Sequence, residues 1–244
     1  ILICRSRILR RLFDEDICRL IHDTLTINGV KIIGLHTHVR LSGDPVDRLR
    51  IGTRELPCDG VIVALGVSPN TSFVEGHHIH LGTSGGISVN ERMETSAPHI
   101  YAAGDCAQTD DIITGQGQVV ALWPPAVEQG RIAALNMLGI ERQYEGALRQ
   151  NVVDVFGTPF ASIGSLDGGK IDRVSGDSLS RFTIQEGKVV GCQLVGDINN
   201  AGWLSARIKR GMAVEDLALV SGGRHLPVRP ACVSQVVDVG APPR

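Results

Sequence analysis

The sequence predicts an α/β fold built on parallel strands, followed from about Tyr144 by an α+β block. Three observations carry this. Short apolar runs flank one amphipathic stretch before Leu65, and strand, helix, strand, strand is a βαβ-type order that implies a parallel sheet. A second helix is framed by Pro124-Pro125 and Gly139, with proline in the first turn and glycine just past the end. After Tyr144 the texture becomes strand after strand, with turn residues between them.

The elements follow in order. Ile1–Cys4 suits a buried parallel strand. Asp14–Asn28 reads as an amphipathic helix, with Ile17, Leu20, Ile21, Thr24 and Leu25 on one face and Asn28-Gly29 at its end. Val30–Gly34 is the next strand. His36–Arg50 and Thr53–Pro57 form an antiparallel excursion turned at Ser42-Gly43-Asp44-Pro45. Asp59–Leu65 is a strongly apolar strand closed by Gly66–Asn70. Gly85-Gly86 turns into a short strand, and His99–Ala103 is expected as another. Gly115–Gln118 is a polar loop, and a helix spans Ala126–Leu138 with small residues at Ala126, Gly130, Ala133 and Ala134. Strands are expected at Val152–Phe156, Phe160–Gly164, Ser180–Ile184 and Lys188–Val195, with a hairpin turn at Glu186-Gly187. Ala201–Arg210 is a helix stopped by Gly211, and the Gly- and Pro-rich tail from Gly222 is expected to be loosely ordered.

Composition excludes some functions. At 244 residues the chain can bury a full core. A net charge of −2 gives no basic footprint for nucleic acid. No run reaches membrane-spanning length, and no signal peptide is present. The six cysteines (Cys4, Cys18, Cys58, Cys106, Cys192 and Cys232) are scattered without a C-x-x-C pair, as expected of reduced thiols in a cytoplasmic protein. The opening Ile-Leu-Ile-Cys, with no initiator Met, reads as a fragment whose upstream portion is absent.

Chemistry concentrates in Thr95-Ser-Ala-Pro-His-Ile-Tyr-Ala-Ala-Gly-Asp105. A β-branched and aromatic run passes through small residues to Gly104, where a backbone without Cβ lets a ligand approach. Asp105 then presents a carboxylate that accepts hydrogen bonds from ligand hydroxyls. The alternative is a turn Asp capping a helix. The whole string resembles the second flavin-binding motif of the FAD-dependent pyridine nucleotide–disulfide oxidoreductase family. That resemblance implies a contact between Asp105 and the ribityl chain of FAD.

Other segments follow in that family's order. Asp59–Asn70, with Gly66 at its turn, resembles the strand-turn that returns the chain from the NAD(P) domain to the FAD domain. The helix from Trp123 through Ala126 resembles the one whose N-terminal amides face the flavin, where a helix N-terminus stabilises negative charge. Trp123 itself reads equally as packing. Ile1–Ile3 runs into Cys4-Arg5-Ser6-Arg7 with no carboxylate for a ribose hydroxyl; Arg5 suits a 2′-phosphate, or else these arginines are a solvated surface. Both Gly-rich pyrophosphate loops are expected upstream of Ile1. Cys106 is expected to be a small buried hydrophobe, and His77-His78-Ile79-His80 a surface loop without metal.

The resemblance therefore implies an incomplete FAD/NAD(P)-binding Rossmann-like two-domain module followed by an α+β interface domain. Its parts would be residues 1–73 (NAD(P)-binding), 74–143 (FAD-binding) and 144–244 (interface or dimerisation). Phe156–Pro159, Gly191–Asp197 and Asn200–Leu204 resemble the interface domain of the branch with rubredoxin reductases and the nitrite reductase large subunit. The implied activity moves electrons from NAD(P)H through FAD to a redox protein or small acceptor, with homo-oligomerisation possible. The rival readings are an NAD(P)H oxidase, peroxidase or disulfide reductase and, in another class, a non-catalytic interaction scaffold retaining the flavin fold. The sequence singles out no catalytic residue.

Overall fold

The computed structural model describes residues 1–34, 39–220 and 224–225. His36, His38, Cys232 and most of the tail from Gly222 lie outside the described residues. The first part opens with a parallel pair, β1 (Leu2–Ile3) and β2 (Ile32–Ile33), joined through helix α1 (Glu15–Ile27). Asp14 is the N-cap of α1, and Glu15 and Asp16 place negative charge at the positive end of its dipole. Gly29, at φ +85°, turns the chain away just after the helix. The antiparallel excursion follows as β3 (Val39–Gly43), β4 (Val46–Ile51) and β5 (Arg54–Pro57).

The central part holds a small mixed sheet. β6 (Ile87–Ser88) pairs in parallel with β7 (Ala107–Asp110), which pairs antiparallel with β8 (Gly117–Gln118). Helix α2 (Trp123–Met137) lies on a core of Val74, Ile87, Met93, Ala102, Ala107, Ile132, Ala133 and Tyr144.

The last part is a six-stranded antiparallel sheet. Its strands are β9 (Gln150–Val155), β10 (Thr158–Gly164), β11 (Gly169–Ser175), β12 (Ser178–Gln185), β13 (Lys188–Val195) and β14 (Arg224–His225), in the order β14-β11-β12-β13-β10-β9. Successive side chains point to opposite faces, so the two faces collect different residues. Ala161, Ile163, Phe182, Cys192 and Leu194 pack against Leu204 and Ile208 of helix α3 (Ala201–Lys209). On the other face, Val155, Phe160 and Val195 pack against Phe13, Ile17, Cys18 and Ile21, which brings α1 onto this sheet. Phe13 meets Phe160 edge-on, with ring centroids 6.0 Å apart.

Several expectations change. Asp59–Leu65 forms no strand, and Ile62, Val63 and Leu65 are 95%, 68% and 91% exposed. An apolar run becomes a strand only where a neighbour completes its ladder, and no described strand does so here. His99–Ala103 also forms no strand: Tyr101 makes a single bridge to Glu94, and the strand of this region, β7, begins after the Gly-Asp pair. Leu20 is exposed on α1, while Cys18 takes the buried place beside Ile17 and Ile21. Helix α2 starts at Trp123, and Gly117–Gln118 is β8 rather than loop. β11 escaped prediction because Lys170, Asp172 and Arg173 break its apolar alternation.

Candidate functional site

Gly104 and Asp105 form a turn between the segment ending at Ala103 and β7. Gly104 has φ +85°, a left-handed conformation that favours glycine. Its carbonyl accepts the Ala107 N–H at 2.9 Å, and its own N–H donates to Gln129 Oε1 at 2.8 Å. A Cβ built on Gly104 would stand 3.8 Å from the Ala126 Cβ, so turn and helix meet at van der Waals distance. Asp105 is exposed at this junction, and Cys106 is half-buried against the same core.

Helix α2 supplies the other wall. Its buried stripe is Pro125, Gln129, Ile132 and Ala133. Trp123, at its first position, is 82% exposed, so packing within the described residues does not account for it. Pro124 and Pro125 carry no N–H, and the Ala126 N–H is bonded to the Leu122 carbonyl at 3.1 Å. The first turn therefore has one amide hydrogen left to offer, that of Trp123. The positive end of the dipole remains, but a row of amide donors does not. At the far end, Asn136 donates to the carbonyls of Arg92 and Arg142 and accepts the Arg142 N–H, tying the helix end to two loops.

Gln129 was not foreseen as a site residue. It is 1% exposed and bonds the junction directly. Its signal in the sequence is an amide on an otherwise apolar helical stripe, a choice that needs buried partners. Tyr144 packs in the same core as Ile132 and Ala133, and burial pushes its phenol above its ordinary range.

Of the residues singled out in the sequence, Gly104, Asp105, Trp123 and Ala126 gather at this junction. Gly66 (φ +102°) and Arg5 are exposed elsewhere, and among the described residues neither bonds to those four. The Gly66 segment is tied instead to the Gly85 turn, where Thr71 Oγ1 donates to the Gly85 carbonyl at 3.1 Å. A side chain at Gly86 would overlap Val119, so that turn passes against β7 and its neighbours without room for one. His77, His78 and His80 are exposed, and no group of three metal-ligating side chains occurs among the described residues. Among the described cysteines none is paired. No described helix is long and apolar enough to cross a membrane.

The family model for pyridine nucleotide-disulphide oxidoreductases matches residues 1–130. The chain belongs to this family. It is 35% identical over 148 residues to the CoA-dependent NAD(P)H sulfur oxidoreductase of Pyrococcus abyssi, covering 60% of this chain and 33% of that protein. It is 30% identical over 212 residues to the NADH oxidase of Methanocaldococcus jannaschii, covering 78% of this chain and 47% of that protein. The match to nitrite reductase [NAD(P)H] of Bacillus subtilis is 28% identical and covers 88% of this chain and 27% of that protein. The chain thus spans between about a quarter and a half of the length of these relatives. Its fold is that of a FAD-dependent pyridine nucleotide-disulphide oxidoreductase from Desulfovibrio vulgaris, with a TM-score of 0.80 at 24% identity over 90% of this chain and 60% of that one.

Proposed function

We propose that the protein is a cytoplasmic flavoprotein oxidoreductase that passes electrons from NAD(P)H through FAD to a redox protein or a small acceptor. The observation that carries this reading is the exposed Asp105 beside Gly104, seated against the start of α2. The residues suit the cofactor chemically. A ribityl chain is a row of hydroxyl donors, and Asp105 supplies an acceptor in front of a position with no side chain. The dipole of α2 and the Trp123 N–H favour negative charge at the helix start. FAD supplies the hydride acceptance and one-electron chemistry, while the protein binds and orients it. Arg5, in the Cys4-Arg5-Ser6-Arg7 run that follows β1 and carries no carboxylate of its own, suits a 2′-phosphate and hence NADPH.

The division into NAD(P), FAD and interface parts at residues 1–73, 74–143 and 144–244 belongs to the same proposal, as does homo-oligomerisation. A redox-protein acceptor draws support from the likeness to a ferredoxin reductase from Rhodopseudomonas palustris, with a TM-score of 0.75 at 25% identity over 87% of this chain and 54% of that one. The names of the other relatives, an NADH oxidase and a sulfur oxidoreductase, favour the second reading of a small acceptor.

The test is flavin content. In the full-length protein, Asp105→Ala lowers FAD occupancy, and unchanged content removes Asp105 from the site. Residues 1–244 expressed alone bind FAD weakly or not at all; a stoichiometric yellow protein refutes that expectation.

A further inference from the structure

We infer that Gln129 is a positioning residue that sets the Gly104–Asp105 turn against the start of α2, an inference that rests on the flavin reading above. Gln129 sits on the buried stripe of α2 beside Pro125, Ile132 and Ala133, and only 1% of it is exposed. An apolar residue would close that stripe with no polar group to satisfy, whereas a buried amide is costly unless both its ends are bonded. Its oxygen is bonded across to the turn. The Gly104 N–H can only donate, so the atom facing it at 2.8 Å is the oxygen Oε1. Tyr144, 4% exposed, packs in the core that Ile132 and Ala133 of the same helix line.

The consequence falls on the turn. The Gly104 N–H is held to α2, while the Gly104 carbonyl is held at 2.9 Å by the Ala107 N–H at the start of β7. With both sides of that residue bonded, the direction in which Asp105 leaves the turn is set. The helix that bears Gln129 also bears Trp123 and Ala126. One side chain therefore fixes the spacing between the carboxylate and the helix start, the two features that the cofactor would meet together.

The experiment measures the FAD dissociation constant of the full-length protein by flavin fluorescence, with the melting temperature of the flavin-free form alongside. Gln129→Met removes the acceptor at similar volume and is expected to weaken FAD binding about tenfold, the scale of one lost hydrogen bond to a buried donor. Gln129→Glu keeps an oxygen toward Gly104 and is expected to stay within about threefold of the unaltered protein. Weakening by Met and rescue by Glu support the role. Unchanged affinity in Gln129→Met, with Asp105→Ala still weakened, overturns it and leaves the flavin reading standing. If neither variant changes affinity, the flavin reading fails and this inference with it. Should Gln129→Met not fold, Gln129→Asn decides, since its shorter side chain keeps the amide but withdraws the oxygen from the Gly104 N–H. About tenfold weaker binding is then expected, and none overturns the role.

Discussion

Arg181 and Asp16, 165 residues apart in sequence, face each other as a two-pronged ion pair, with Nη1–Oδ1 at 2.6 Å and Nη2–Oδ2 at 2.8 Å. The same guanidinium grips Asp172 through Nε and Nη2 at 2.8 and 2.7 Å and reaches Asp14 at 3.3 Å. Lys170 and the buried Gln193 amide complete the cluster on Asp14. Arg181 alternates with Phe182 along β12, so one residue faces α1 and the next faces α3. The cluster is thus the polar rim of the apolar contact that Phe13, Ile17 and Ile21 make with the sheet. It binds a helix from the start of the chain to strands near its end.

Arg181→Met should destabilise the protein by about 2 kcal/mol. Removing one partner of a well-buried pair costs about 3–5 kcal/mol, and the part-exposed Asp16 side chain, 40% exposed, reduces that. Urea unfolding of both proteins measures the difference. A double-mutant cycle with Asp16→Asn should return a coupling of more than about 0.5 kcal/mol.

Stability should fall in acid through the same pair. Burial works to raise the Asp16 pKa, but the hydrogen bond and charge of Arg181 outweigh it and leave the pKa lowered. A carboxylate with a lowered folded-state pKa contributes stability that is complete above its unfolded value of about 3.9 and is lost as pH drops through the folded value. Unfolding midpoints from pH 6 down to pH 2.5 should therefore fall more steeply in the unaltered protein than in Asp16→Asn. Parallel curves would separate Asp16 from the acid sensitivity.

Gly191→Ala should be among the most damaging single changes. A Cβ there would overlap the Ser165 carbonyl and stand 2.9 Å from the Ile163 carbonyl, and backbone cannot swing aside as a side chain can. A loss of about 3 kcal/mol is expected, read as a lowered melting temperature. Gly104→Ala offers a contrast. Its Cβ has room at 3.8 Å from Ala126, so only the left-handed backbone at φ +85° opposes it, at a cost of about 1 kcal/mol.

The thiols should separate by reactivity. Burial pushes Cys192 up to about 12, and it is 1% exposed; burial also raises Cys18, which is 2% exposed. Thiolate is the reactive form, so iodoacetamide at pH 8 should modify the half-buried Cys4, Cys58 and Cys106 well before either. Peptide mass spectrometry on the folded protein gives the order, and early labelling of Cys192 would contradict it.

Local chemistry was legible in the sequence. The bounds of α1 came from its periodicity and Asn28-Gly29, and the excursion from its Gly-Asp-Pro turn. The Glu186-Gly187 hairpin and the Gly211 stop of α3 also stand as read, each dictated by backbone preferences within a few residues. The Gly104-Asp105 pair could be recognised from an eleven-residue string. Tertiary structure decided whatever depends on a partner distant in sequence. Asp59–Leu65 has strand composition, yet no described neighbour completes its ladder. β11 has a poor pattern, but two neighbouring strands hold it in place. Gln129 looks like any amide on a helix until the Gly104 N–H arrives to bond it. Asp16 looks like a first-turn acid until Arg181 closes on it. Propensity and turn chemistry act over a handful of residues, whereas ladders, buried hydrogen bonds and ion pairs exist only once the folded chain supplies their second half.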